Sequence, residues 1–316
     1  MFGKIASLLK NAPAPKTSSG VAVTLGDLVA MKRYVRLLSF ETTGFSRSEG
    51  IGLHRSPFRG RGMEFDEVRP YHQGDDIRLI DWRVTARTGK TYTKLYREER
   101  DRPVLFLGDF RAAMRFGTRK AFKSVVEARA LAALAWASRE NGDKIGALVL
   151  TEEGYYKIAP HRQMRRLMEV FNAVVAAADD TVRAAEETRL SDAFAELRRV
   201  SGTGGRVYVL SDFHDFDDEC KKHLAAVALH CDVVCIDIYD ALEEKAPPAG
   251  VYRFSDGKSV LAADTADGLW RTAYEQTFAR RRENVKSFCT AHRVIYVPLR
   301  TDDDMIKTVR AAMLGE

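Results

Sequence analysis

The strongest constraint on this 316-residue chain is a change of hydrophobic rhythm after Arg102-Pro103. Val104–Leu107 is wholly apolar and ends in Gly108-Asp109, and Arg206–Leu210 is a second such run ending in Ser211-Asp212. A strand covered on both faces loses the alternation of a half-exposed one, so runs of this kind belong to parallel sheets with helices on both sides. Helical spacing is predicted between and after them. A long helix is expected over about Arg119–Arg139, with Phe122, Val125, Val126, Leu131, Leu134 and Ala135 on its apolar side. Glu152-Glu153-Gly154 joins Lys144–Leu150 to Tyr155–Ala159 as a hairpin. Helices near Gln163–Ala177, Ser191–Val200, Asp218–Leu229 and Gly268–Ala291, strands Asp232–Ile238 and Arg293–Val297, and a closing helix after Thr301 complete the expectation. Residues 103–316 are thus predicted to form an α/β domain with a mostly parallel sheet.

The first hundred residues read differently. Residues 1–20 open with Phe2, Ile5, Leu8 and Leu9 and run on through Asn11-Ala-Pro-Ala-Pro-Lys-Thr-Ser-Ser-Gly20, the composition of a flexible tail. Its first half has the spacing of a weakly amphipathic helix, so contact of the tail with a membrane surface stays open. Residues 21–102 are grouped as an N-terminal helix and a β-rich subdomain. The helix is signalled by Leu25, Leu28, Val29, Val35 and Leu38 behind Thr24, a plausible N-cap. The β-rich layer is signalled by seven glycines between 44 and 89 and by the extended segments Met63–Tyr71 and Thr91–Arg97.

With 45% hydrophobic and 30% charged residues, the chain can bury a core, which excludes wholesale disorder. No apolar run approaches the roughly 20 residues that span a bilayer. Ile5 to Leu9, broken by Ser7 and closed by Lys10, is too short for a secretory h-region. A cytoplasmic location is therefore expected, with Cys220, Cys231, Cys235 and Cys289 as reduced thiols. The net charge of +6 is all N-terminal: residues 1–100 hold 18 Lys+Arg against 11 Asp+Glu. Both signs are mixed there, so a solvated mixed surface explains the asymmetry better than a nucleic-acid face. P-loop, dinucleotide, zincin and hydrolase-elbow motifs are absent, and the seven histidines have no ligand spacing. His214 is expected at the surface. No enzyme is expected.

Ligands of open α/β sheets bind beyond the carboxyl ends of strands, where the winding reverses. Asp109 and Asp212 both fall at such ends. Two acids joined by hydroxyls would suit magnesium; alternatively each merely caps the following turn. Asp215, Asp217 and Asp218 read as capping and preceding a helix.

The stretch Arg59-Gly-Arg-Gly-Met-Glu-Phe-Asp-Glu-Val-Arg-Pro-Tyr-His-Gln-Gly-Asp-Asp-Ile-Arg-Leu-Ile-Asp-Trp-Arg-Val-Thr-Ala-Arg87 resembles the signature of the bacterial domain-of-unknown-function fifty-eight family. The similarity continues through Lys94, Glu98-Glu99, Asp109, Met114-Arg-Phe-Gly-Thr118, Lys123 and Gly142-Asp143. This resemblance implies a Rossmann-like von Willebrand A fold and a partnership with a MoxR-type AAA+ ATPase. Other von Willebrand A-like proteins are further candidate partners. It also implies a metal-ion-dependent adhesion site in which Asp109, Thr188 and Asp212 would be ligands. The two serines of that site are replaced by Arg111 and Ala113, so the site is expected to be degenerate and without magnesium or other cofactor. The guanidinium of Arg111 is expected to act as a tethered cation on Asp109, Asp212 or both.

In the Gly74–Arg87 segment, Asp75, Asp76 and Asp81 alternate with Arg78, Arg83 and Arg87 around Trp82. Three readings stay open: an internal ion-pair network burying Trp82 between the two layers, a docking surface for a protein partner, or nucleic-acid contact, against which the interleaved acids argue. The expected function is a non-enzymatic adaptor in assembly or remodelling of protein complexes. The alternatives are a metal-dependent hydrolase or nuclease using Asp109 and Asp212, and a nucleic-acid-binding module.

Overall fold

The computed structural model describes residues 20–39, 63–71, 77–98, 102–179, 188–255 and 260–314. The chain divides into two units, residues 1–45 with 102–316 and residues 46–101.

The larger unit is an α/β sandwich. Its six strands are β3 (Pro103–Asp109), β4 (Lys144–Thr151), β5 (Gly154–His161), β6 (Arg206–Ser211), β7 (Asp232–Tyr239) and β10 (Ile295–Arg300), in the spatial order β10-β7-β6-β3-β4-β5. All neighbours run parallel except the edge strand β5, which returns antiparallel to β4 through the predicted hairpin. The chain winds outward from β3 to β5, then starts again beside β3 with β6 and winds the other way. The reversal between β3 and β6 is the crevice in which such sheets place their functional groups.

Successive side chains of a strand face opposite sides, and here they sort into two cores. Phe106, Ala147, Val149, Tyr208, Leu210, Val234 and Ile236 face one side; Leu105, Leu107, Leu148, Val207, Val209, Val233 and Cys235 face the other. The second face is covered by α6 (Leu190–Val200), α7 (Asp218–Ala228) and α9 (Gly268–Ala291). The first is covered by α4 (Lys123–Glu140), α5 (Met164–Asp179) and α10 (Met305–Leu314). All four cysteines are buried free thiols.

Helix α4, rich in Ala, Leu and Val, is buried on nearly every side. Its outer face is covered by α1 (Leu25–Ala30) and α2 (Val35–Ser39), linked by a 3-10 turn. Thr24 caps α1 in a reciprocal capping box with Asp27, as its sequence suggests. Trp136 Nε1 of α4 donates to the carbonyl of Leu28 at 3.0 Å, and Phe122 N donates to Gly20 O at 2.7 Å. A side chain at residue 20 would lie 2.3 Å from the Lys120 carbonyl, so glycine is required there. These contacts correct the grouping of residues 21–102. The N-terminal helix belongs to the α/β core because α4 has an apolar outer face to be covered.

The smaller unit pairs β1 (Met63–Pro70) with β2 (Tyr92–Glu98) antiparallel, close to the predicted extended segments. Between them lies α3 (Trp82–Thr88). Asp81 caps it by accepting from Arg83 N and Val84 N, and Gly89 at φ 69° ends it. Its Trp82 is 66% exposed rather than buried. A second hairpin, β8 (Val251–Ser255) with β9 (Val260–Asp264), and the short helix α8 (Ala241–Glu244) went unpredicted.

Candidate functional site

The carboxyl ends of β3 and β6 bring Asp109, Ser211 and Asp212 together at the reversal of winding. Carboxylate oxygens of Asp109 and Asp212 and a ring nitrogen of His214 lie within 4.8 Å of one another, so the predicted convergence of the two acids holds. Neither acid is a simple cap.

Asp109, fully buried, is gripped by Arg111: Nε donates to Oδ1 at 2.9 Å and Nη2 to Oδ2 at 2.7 Å, while Ser211 Oγ adds a bond to Oδ2 at 2.8 Å. The expectation that Arg111 is a tethered cation is met at Asp109. Its second partner is Asp215 rather than Asp212, with Nη1 and Nη2 each 2.8 Å from a carboxylate oxygen. Nη1 also donates to Thr188 O at 3.1 Å. All five guanidinium N–H groups are therefore engaged, on a side chain only 1% exposed. Burial opposes the charge of Arg111, but the two aspartates outweigh it and raise its pKa. Burial likewise opposes the charge of Asp215, whose pKa Arg111 nevertheless holds below the usual range.

Asp212 has a cation of its own. Lys123, in the first turn of α4 and equally buried, donates to Asp212 Oδ2 at 2.6 Å and to Glu243 Oε1 of α8 at 2.9 Å. His214 Nδ1 lies 2.8 Å from Asp212 Oδ1, and its backbone N–H donates to the same oxygen. Burial works against the Asp212 charge, yet Lys123 and His214 keep its pKa well below normal. Burial also lowers the tendency of His214 to hold a proton, and the bond to Asp212 overcomes it and raises its pKa. His214 thus lies at the surface, as the sequence suggested, and is at the same time engaged with Asp212.

The local backbone makes this possible. Phe213 adopts φ 51°, a left-handed conformation costly for a bulky residue. Ser211 Oγ accepts from Phe213 N at 3.0 Å and stabilises the turn that folds His214 back on Asp212 and aims Asp215 at Arg111. Of the acidic run after β6, Asp217 does cap α7 through Cys220 N, whereas Asp215 belongs to the site. On the other side, Glu152 of the β4–β5 turn accepts from Ala112 N and fixes the loop after β3. Beneath the rim, Glu127 of α4 accepts from Asp109 N at 2.6 Å. Gly108 keeps that approach open, since a Cβ there would stand 3.1 Å from Glu127 Oε1. Burial, reinforced by the Asp109 charge, pushes the Glu127 carboxyl well above its ordinary range.

The residues present do not suit a magnesium ion. That ion needs a near-octahedral shell of oxygens. Here the carboxylates face a guanidinium and an ammonium instead of open coordination positions. Ala113, in the 3-10 turn Ala112–Met114, has no oxygen to offer. Asp109, Arg111, Asp212 and, through its carbonyl, Thr188 are brought together as predicted. Lys123, Glu127, Ser211, His214 and Glu243 are the members that site reasoning missed, and Asp215, read from the sequence as preceding a helix, joins them. A lysine in the first turn of a helix, where the dipole disfavours it, was the available signal for Lys123.

Among the docking candidates, Asp75 and Asp76 lie outside the described residues. Asp81 is the cap of α3; Arg78, Trp82, Arg83 and Arg87 are all exposed.

Uncharacterized proteins of Mycobacterium bovis and Mycobacterium tuberculosis are each 26% identical to this chain over 301 residues, spanning 94% of it and 93% of their own length. Among solved structures, the chain is similar to the conserved hypothetical protein BatB from Bacteroides thetaiotaomicron (14% identity, TM-score 0.41). It is also similar to an aerotolerance-related membrane protein from Bacteroides fragilis (12% identity, TM-score 0.43); each match spans 67% of this chain and 96% of that one. Among the described residues no helix is long and apolar enough to cross a membrane. The family model for the protein of unknown function DUF58 matches residues 67–284, and the chain belongs to that family.

Proposed function

We propose that this protein is a non-catalytic, cytoplasmic adaptor that works with a MoxR-type AAA+ ATPase in assembling or remodelling protein complexes. Its α/β unit is read as a von Willebrand A-like domain whose cation site has been taken over by the protein's own cations. The observation that carries this reading is the fully engaged guanidinium of Arg111 at the β3–β6 crevice, with Lys123 playing the same part at Asp212. Acids neutralised in this way lack the open coordination positions that metal-assisted hydrolysis needs, which weighs against the hydrolase alternative. Binding is assigned instead to the exposed side of α3, where Trp82, Arg83 and Arg87 offer an aromatic plane and two arginines. Such residues are common anchors of protein interfaces.

Two measurements test the proposal. Titration calorimetry with magnesium and manganese is expected to give no saturable heat; binding that vanishes in Asp212→Ala would overturn the degenerate-site reading. Arg83→Glu and Arg87→Glu are expected to weaken association with the ATPase while leaving the melting temperature within about 1–2 °C. Unchanged association would remove α3 from the interface.

A further inference from the structure

Within the smaller unit, α3 is tied to β2 along one side only. Asp81 N donates to Tyr92 O at 2.8 Å, Thr85 Oγ1 accepts from Tyr92 N at 3.1 Å, and Ile80 pairs with Thr93. Val84 and Thr85, on that side, are half-buried. With about 3.6 residues per turn, the opposite face of the helix carries Trp82, Arg83, Ala86 and Arg87. All four are exposed. Ile77, in the 3-10 turn before the helix, is 65% exposed, and the exposed Lys90 follows the Gly89 cap.

The charge of this face is one-sided. Residues 77–90 hold Arg78, Arg83, Arg87 and Lys90 against a single acid, Asp81, whose Oδ1 accepts the backbone N–H groups of Arg83 and Val84. Among the described residues, the side chains of Arg83, Arg87 and Lys90 have no hydrogen bond or ion pair. Arg83 and Arg87, four residues apart, are neighbours on the helix surface and repel each other. Arg83 also lies in the first turn, where the helix dipole disfavours a cation. An incoming anion relieves both. The two arginines are about 6 Å apart along the axis, the spacing of carboxylates four residues apart on a helix or two apart on a strand. Each guanidinium can hold a carboxylate through two parallel bonds, and the Trp82 ring adds an apolar surface beside them. A nucleic acid would ask for a longer basic track and several stacking rings. This face spans only about 10 Å and has one ring.

We infer that this face of α3 receives an acidic peptide segment of a partner protein, one that sets two carboxylates on Arg83 and Arg87 and an apolar side chain on Trp82. The inference rests on the assignment of binding to α3 made above and adds the chemistry of what binds there.

Selection of displayed random dodecapeptides tests it, on the full chain and in parallel on the chain carrying Arg83→Glu and Arg87→Glu together. The unmodified chain is expected to enrich peptides with paired Asp or Glu residues near Leu, Phe or Trp, and the reversed chain to enrich Lys or Arg in their place. Affinity for an acidic peptide is expected to fall at least about tenfold for either single reversal. The same loss is expected when the acids of the peptide are changed to amides against the unmodified chain, a reading that does not depend on any variant folding. Absence of enrichment, enrichment without acids, or acidic peptides indifferent to these changes would overturn the inference. So would oligothymidylate displacing the peptide with equal affinity, which would mark a nucleic-acid surface. Association with the ATPase is scored separately. Reversals that abolish peptide binding but leave that association intact uphold the acidic partner and overturn only the ATPase reading. Association lost without any acidic enrichment upholds the ATPase reading and overturns this one.

Discussion

Arg111 shows how far local reasoning reaches and where it stops. Two residues from Asp109, it could be expected to fold back on that acid from spacing alone, and it does. Asp215 is 104 residues away, and its approach depends on the left-handed turn at Phe213, a conformation no residue type at that position announces. Lys123 meets Asp212 across 89 residues for the same reason: only the topology brings the start of α4 to the end of β6. Removing one partner of a buried pair leaves the other charge uncompensated. Arg111→Ala, which strands both Asp109 and Asp215, is expected to cost about 3–5 kcal/mol in urea unfolding. Arg111→Lys is expected to recover only part, because an ammonium has three donors where the planar guanidinium makes five hydrogen bonds. A loss below about 1 kcal/mol, the worth of a surface pair, would mean the guanidinium does not hold the crevice together.

At the scale of elements, the sheet was readable because its strands are buried on both faces and therefore almost uninterrupted by polar residues. The principal helices were readable because their apolar faces recur at helical spacing. The assignment of α1 and α2 was not, since an amphipathic helix declares that it covers something but not what. The clue lay in α4, whose Ala130, Leu131, Ala132, Ala133, Leu134 and Ala135 are all buried and leave no face for water. Trp136 joins the two layers, so Trp136→Phe, which removes its bond to the Leu28 carbonyl while leaving that of Met31 N, is expected to cost about 0.5–1.5 kcal/mol. Hydrogen exchange should speed first for amides of residues 25–39, with those of β3 and β6 keeping their protection. Uniform acceleration throughout the unit would show that the outer layer does not open separately.

For the molecule as a whole, the crevice ties stability to pH. The raised pKa of His214 means that its contribution is complete below its ordinary value of 6.5 and is lost as pH rises through the folded value. The lowered pKa values of Asp212 and Asp215 act oppositely: their share is present above about 3.8 and disappears on acidification. The melting temperature is therefore expected to decline as pH rises above about 6.5, and His214→Gln to flatten that decline; an equal slope in both proteins would exclude His214 as its source. The way residues 46–101 interrupt the larger unit also bears on how the chain comes into being. Leu28 and Trp136 are 108 residues apart, with the whole inserted unit between them. At a synthesis rate of roughly 5–20 residues per second, α1 and α2 leave the ribosome some 5–20 s before the helix they cover. Throughout that interval Leu28, Met31, Val35 and Leu38 have no α4 to pack on, and early folding of the inserted unit shortens the loop that must finally be closed.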